Sequence, residues 1–166
     1  VAEELTRRFG LSQWRFNNSG TEATMDAVHL ARGATGRDTI LKIEGSYHGH
    51  HDAVMVSVYP PLEALGARDD PISVPYGAGT PRALTELTRA VPFNDADALE
   101  SVLEKIGEQV AGLIMEPAMM NINIIPPKDG YLERVRELCD EHGAKLIFDE
   151  VKTGATISYG GATQRF

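Results

Sequence analysis

YLERVRELCDEHGAKLIFD, residues 131–149, decides the fold. Apolar residues recur at helical spacing from Tyr131 to His142, Gly143 closes the helix, and Lys145 to Phe148 is a short buried strand that delivers Asp149 at its end. Working back, Ala111 to Met115 is a continuous apolar strand preceded by a helix over Ala96 to Ile106. Further back, Thr39 to Ile43 is an apolar, β-branched strand. It follows a helix over Glu22 to Gly33 with Ala23, Ala27, Leu30 and Ala31 at helical spacing, and Gln13 to Asn17 reads as one more short strand. Strands alternating with helices predict an α/β fold: a mostly parallel sheet with helices on both faces.

Composition agrees. The 166 residues carry 16 Lys and Arg against 24 Asp and Glu, a formal charge of −8, with 42% hydrophobic and 24% charged residues. That is enough apolar material for one packed domain. The negative balance excludes a non-specific grip on nucleic acid or an anionic membrane, and no apolar run is long enough to span a bilayer. With no signal pattern at the N-terminus, a cytoplasmic location is expected. Cys139, the single cysteine, lies on the apolar side of its helix and reads as a buried thiol. Val1 to Phe9 resembles an amphipathic helix closed by Gly10. Tyr159, Gly160 and Gly161 leave a strand for a loop, with no further element before Phe166. The expectation is a piece of something longer.

Residues 60–81 break the alternation. Five of the nine prolines fall between Pro60 and Pro81, with Gly66, Gly77 and Gly79 and no sustained periodicity. Long loops of this kind often serve as lids or binding segments.

Four clusters carry chemistry. In Asn18-Ser19-Gly20-Thr21-Glu22, Ser19 and Glu22 have capping-box spacing, and the helix start offers N–H groups to an anion such as phosphate. Tyr47-His48-Gly49-His50-His51-Asp52 follows a strand at the carboxyl edge of the sheet, where α/β proteins hold ligands. His48, His50 and Asp52 also suit a divalent metal, which supports a metal-dependent hydrolase as the alternative reading. Glu116-Pro117 ends one strand, with Asn121 close behind. Phe148-Asp149-Glu150-Val151 ends another, and continued alternation puts Asp149 and Val151 on one face, Glu150 and Lys152 on the other. All converge on one edge of one sheet, as a cofactor cleft requires.

These clusters, in this order, resemble the class III pyridoxal-phosphate-dependent aminotransferases of fold type I, most closely the glutamate-1-semialdehyde aminomutase branch. Thr153-Gly154 and Tyr159-Gly160-Gly161-Ala162 extend the likeness. The resemblance implies that residues 1–166 form part of the large, cofactor-binding domain, with a mobile gating loop at 60–81. It implies that Ser19, Gly20 and Thr21 hold the cofactor phosphate, that Tyr47 and Val151 sandwich the ring with His48 beside them, and that Asp149 pairs with the ring nitrogen as the catalytic carboxylate. Asn121 would reach the ring's phenolic oxygen, next to Glu116. Pyridoxal 5'-phosphate as cofactor, amine or amino acid and carbonyl substrates, and a homodimer follow from the same likeness. The family's Schiff-base lysine matches none of Lys42, Lys105, Lys128, Lys145 and Lys152, so this chain alone is expected to be inactive, a cofactor-pocket fragment without turnover. Ala155 and Thr156 replace an aromatic residue and an arginine, and Met120 replaces a glycine. These departures spare the cofactor residues and leave the substrate open.

Overall fold

The computed structural model describes residues 1–68 and 70–166. Among them the strands are β1 (Thr39–Ile43), β2 (Gly66–Ala67), β3 (Asp70–Pro71), β4 (Thr88–Val91), β5 (Val110–Met115) and β6 (Lys145–Phe148). The helices are α1 (Ala2–Phe9), α2 (Gly20–Thr35), α3 (Arg82–Thr85), α4 (Ala96–Ile106), α5 (Tyr131–Glu141) and α6 (Ala162–Arg165). The main sheet has the order β4-β1-β5-β6, parallel throughout, with Leu41 beside Leu113 and Leu113 beside Leu146.

Helices cover both faces, as expected. Leu41, Ile43, Leu113 and Met115 pack with Leu99 and Leu103 of α4 and Val135 and Leu138 of α5. On the other face Ile40, Ala111 and Ile114 pack with Val28 and Ala31 of α2. Each large aliphatic side chain so buried contributes about 1.5–3 kcal/mol, so the central strands are anchored from two sides and their carboxyl ends are held in fixed relation. Cys139 is buried in the first cluster. No helix among the described residues is long and apolar enough to cross a membrane.

Several expectations change. Gln13 to Asn17 is not a strand: the Trp14 indole N–H donates to Thr6 Oγ1 at 2.9 Å and Arg15 pairs with Asp26 at 2.7 Å, so this stretch is committed to α1 and α2. The second helix runs from Gly20 to Thr35 and faces the sheet through Thr24, Val28 and Ala31, whereas Leu30 is 65% exposed. β4 falls where no strand was expected; four residues between a short helix and Pro92 leave too little pattern to recognise. Tyr159 to Gly161 leave a run of turns, not a strand, and a four-residue helix, α6, follows.

The 60–81 loop carries the small β2–β3 hairpin, and Asp69 inside it lies outside the described residues. Its later part is pinned along the 55–57 segment, where Ser57 N–H donates to Val74 O at 2.7 Å and Tyr76 N–H to Met55 O at 3.0 Å.

Candidate active site

Asp149 follows β6 directly. Its N–H donates to Met115 O at 2.8 Å, the last rung between β5 and the segment after β6, and this fixes the carboxylate at the sheet's carboxyl edge. Oδ1 accepts the Val151 N–H at 3.0 Å, an Asx turn that bends the chain. The expected alternation beyond Phe148 therefore fails, because the strand stops there. Lys152 swings toward the site, and its Nζ donates to Asn121 Oδ1 at 2.6 Å.

Oδ2 of Asp149 lies 2.7 Å from His48 Nδ1, with side chains 7% and 0% exposed. Burial, more than any other influence, pushes the His48 pKa below its ordinary value, and the nearby positive charge of Lys42 acts in the same direction. A neutral imidazole facing a carboxylate carries its proton on Nδ1. His48 Nε2 is buried without a hydrogen-bond partner, which also disfavours a second proton there.

Asn121 bridges three segments. Nδ2 donates to Glu116 Oε1 at 3.2 Å and to Tyr47 O at 3.4 Å, while Oδ1 takes Lys152. Glu116, 4% exposed, also accepts the Met120 N–H at 3.1 Å. Burial raises its pKa, opposed by these two hydrogen bonds.

At the start of α2, Ser19 Oγ accepts the Glu22 N–H at 3.2 Å, and Glu22 Oε2 accepts the Asn18 N–H at 2.9 Å and the Ser19 hydroxyl at 3.1 Å. Ser19 caps the helix as expected, while Glu22 reaches one residue further back, to the Asn18 N–H, than a capping box requires, and the first-turn amides of Gly20 and Thr21 have no acceptor within the helix. The 47–50 loop packs directly on this helix end. Gly49 has φ +95°, and a Cβ there would lie 2.7 Å from Thr21 Cα. Thr24, buried, donates to His48 O at 2.6 Å, and a Cβ on Gly20 would lie 3.1 Å from Val151 Cγ2. Tyr47 and Val151 are 40% and 70% exposed.

Ser19, Gly20, Thr21, Tyr47, His48, Glu116, Asn121, Asp149 and Val151 thus share one sheet edge. The cation cluster does not assemble: His48 Nδ1 faces Asp149, His50 Nδ1 faces Thr21 Oγ1 at 3.3 Å, and His51 Nε2 faces Thr24 Oγ1 at 3.3 Å. Among the described residues no three His, Cys, Asp or Glu side chains gather as a metal-binding group. Sequence reasoning missed Thr24 and the Lys152 contact. A polar residue on the buried stripe of α2 is the signal for the first.

Residues 1–163 match the class-III aminotransferase family, and the chain belongs to it. An omega-transaminase from Sphaerobacter thermophilus is 38% identical and superposes with a TM-score of 0.93 over 99% of this chain and 37% of its own. A transaminase with PLP bound gives 37% identity and 0.86 over 99% and 37%. A glutamate-1-semialdehyde aminomutase from Pseudomonas aeruginosa PAO1 gives 34% and 0.84 over 99% and 34%. The fold is that of the type I pyridoxal-phosphate-dependent transaminases, and the chain spans little more than a third of these structures' length.

Proposed function

We propose that these residues are the cofactor-binding half of a pyridoxal-phosphate site in an aminotransferase or aminomutase that moves an amino group between an amine or amino acid and a carbonyl compound. The observation that carries this reading is the buried Asp149 carboxylate, oriented by His48 and by the Val151 N–H at the sheet edge that also holds the start of α2. The donor set suits the group. First-turn amides of a capped 16-residue helix, which have no acceptor within the helix, attract a phosphate, a carboxylate with fixed orientation suits a protonated ring nitrogen, and the Asn121 amide with the Lys152 ammonium suits a phenolic oxygen. Gly49 and Gly20 let the 47–50 loop and Val151 pack closely on the start of α2.

Pyridoxal phosphate, when bound, supplies a ring that accepts the electron pair left when a proton leaves the substrate's α carbon. Asp149 holds the ring nitrogen protonated. His48 holds Asp149 in place and, being neutral, leaves the carboxylate its full negative charge. Tyr47 and Val151 cover the two ring faces and limit water. Asn121, its oxygen committed to Lys152, would give up the long 3.4 Å bond from Nδ2 to Tyr47 O to donate to the phenolic oxygen.

None of the chain's five lysines serves as the Schiff-base group in this reading, so the 166 residues alone do not turn over substrate. The resemblance also supports a homodimer and a lid at 60–81. Hydrogen exchange across the lid slows on ligand binding if it closes.

Asp149→Asn in the complete parent enzyme tests the reading. Loss of an electrostatic stabiliser of this kind lowers kcat about 10²–10³-fold, with pyridoxal phosphate still bound. Near-normal turnover rejects the role. Stoichiometric metal in place of an aldehyde absorbance band would instead favour the hydrolase.

A further inference from the structure

Lys42 sits on β1, between Ile40 and Ile43, and is fully buried. Packing alone would be served by an apolar residue, because burying an ammonium is unfavourable unless its hydrogen bonds are met. They are met by the loop that follows the strand: Nζ donates to Ser46 O at 2.9 Å and to Val56 O at 2.8 Å. These carbonyls stand near the two ends of the 44–58 loop, which Gly45 N–H also closes by donating to Ser57 O at 2.8 Å.

We propose that Lys42 is a positioning residue whose ammonium staples both ends of the 44–58 loop to the sheet and so holds Tyr47 and His48 against Asp149. Between the two ends run Tyr47, His48 and Gly49, and the contacts of this stretch with Thr21, Thr24 and Asp149 depend on where the loop leaves β1. The charges facing the ammonium come from three elements. Glu44 at the end of β1 and Glu116 after β5 attract it, and it disfavours a proton on His48 from the loop side. Lys42 therefore acts on the site by tying the loop, and its charge only adds to the burial that lowers the His48 pKa. The functional reading of Asp149 enters only in saying what the loop is held for, so the test uses the chain without cofactor.

Hydrogen exchange of the unmodified chain is compared with Lys42→Met. Loss of the staple opens the loop locally, and amides of 44–58 exchange about tenfold faster or more while those of β5 and α5 change little. Nitrogen NMR of His48 shows the fixed Nδ1–H tautomer giving way to an averaged ring. Unchanged exchange in 44–58, or an equal acceleration in β5 and α5, overturns the proposal, since the second outcome is that of a general packing residue. If the variant does not fold, the unmodified chain decides. At a pH well below 7, where folded Lys42 holds its proton, a slowly exchanging Lys42 ammonium signal with cross-peaks to Ser46 and Val56 supports the staple, and its absence there rejects it. Failure of pyridoxal phosphate to bind would leave these readings intact and count only against the cofactor assignment.

Discussion

His48 Nδ1 and Asp149 Oδ2, 2.7 Å apart, join segments separated by 101 residues and set the geometry of the sheet edge. Removing the imidazole leaves a buried carboxylate without its side-chain partner. Hydrogen bonds to charged groups contribute about 1.5–3 kcal/mol, so His48→Ala lowers unfolding stability in urea by that amount, and His48→Gln, which keeps an N–H donor, recovers part of it. Equal stability of all three proteins would remove the orienting role.

Gly49 is required by conformation and by space. Its φ of +95° is one that L side chains rarely adopt, and a Cβ would strike the Thr21 backbone at 2.7 Å. Gly49→Ala destabilises the chain by at least the 1–3 kcal/mol typical of such strain, about, measured by urea titration, and it weakens pyridoxal phosphate binding measured by absorbance. Gly33, where a Cβ meets nothing within 4 Å, tolerates the same change.

The pH dependence of stability carries the signature of Lys42. Burial lowers its pKa from 10.5 to about 7, with Glu44 and Glu116 pulling the other way. Below pH 7 folded and unfolded chains both hold the proton, and this group gives no slope. From 7 toward 10.5 only the unfolded chain holds it, so stability rises with pH. Cys139, raised by burial from 9.0 to about 11, works against the climb from pH 9 upward, because the unfolded thiol ionises first. Urea midpoints at pH 7, 8 and 9 therefore climb for the unmodified chain, and Lys42→Met flattens the climb.

The lysines predict a negative result of a specific kind. Lys42 Nζ is enclosed by backbone carbonyls, Lys128 Nζ donates to Asn94 O at 3.3 Å, and Lys152 Nζ holds Asn121. Incubation of the chain with pyridoxal phosphate and borohydride gives no stoichiometric adduct at a buried lysine by mass spectrometry. One mole of adduct on Lys42 would mean that the chain holds its own Schiff-base group.

Much of the architecture is legible in the sequence because Ala111–Met115 and Thr39–Ile43 are buried on both faces and read as apolar runs, and the partly buried edge strand Lys145–Phe148 still shows three apolar residues in a row. β4 is hidden because Thr88–Val91 is short and carries Arg89. Gln13–Asn17 misleads because its side chains serve neighbouring helices. At the site, residue types and their order pointed to one shared sheet edge, and the structure brings those residues together there. The His48–Asp149 bond did not show, since nothing local encodes a contact across 101 residues. The Lys152 contact was hidden by the Asx turn at Asp149, which replaces strand alternation, and the burial of Lys42 by the distance in sequence to Val56, whose carbonyl it needs.

A crystal structure of the complete parent enzyme with pyridoxal phosphate bears most directly on the chemistry. The ring nitrogen should lie about 3 Å from an Asp149 carboxylate oxygen, with the phosphate on the Gly20 and Thr21 amides. A ring seated elsewhere, or an Asp149 turned away from it into solvent, would contradict the assignment.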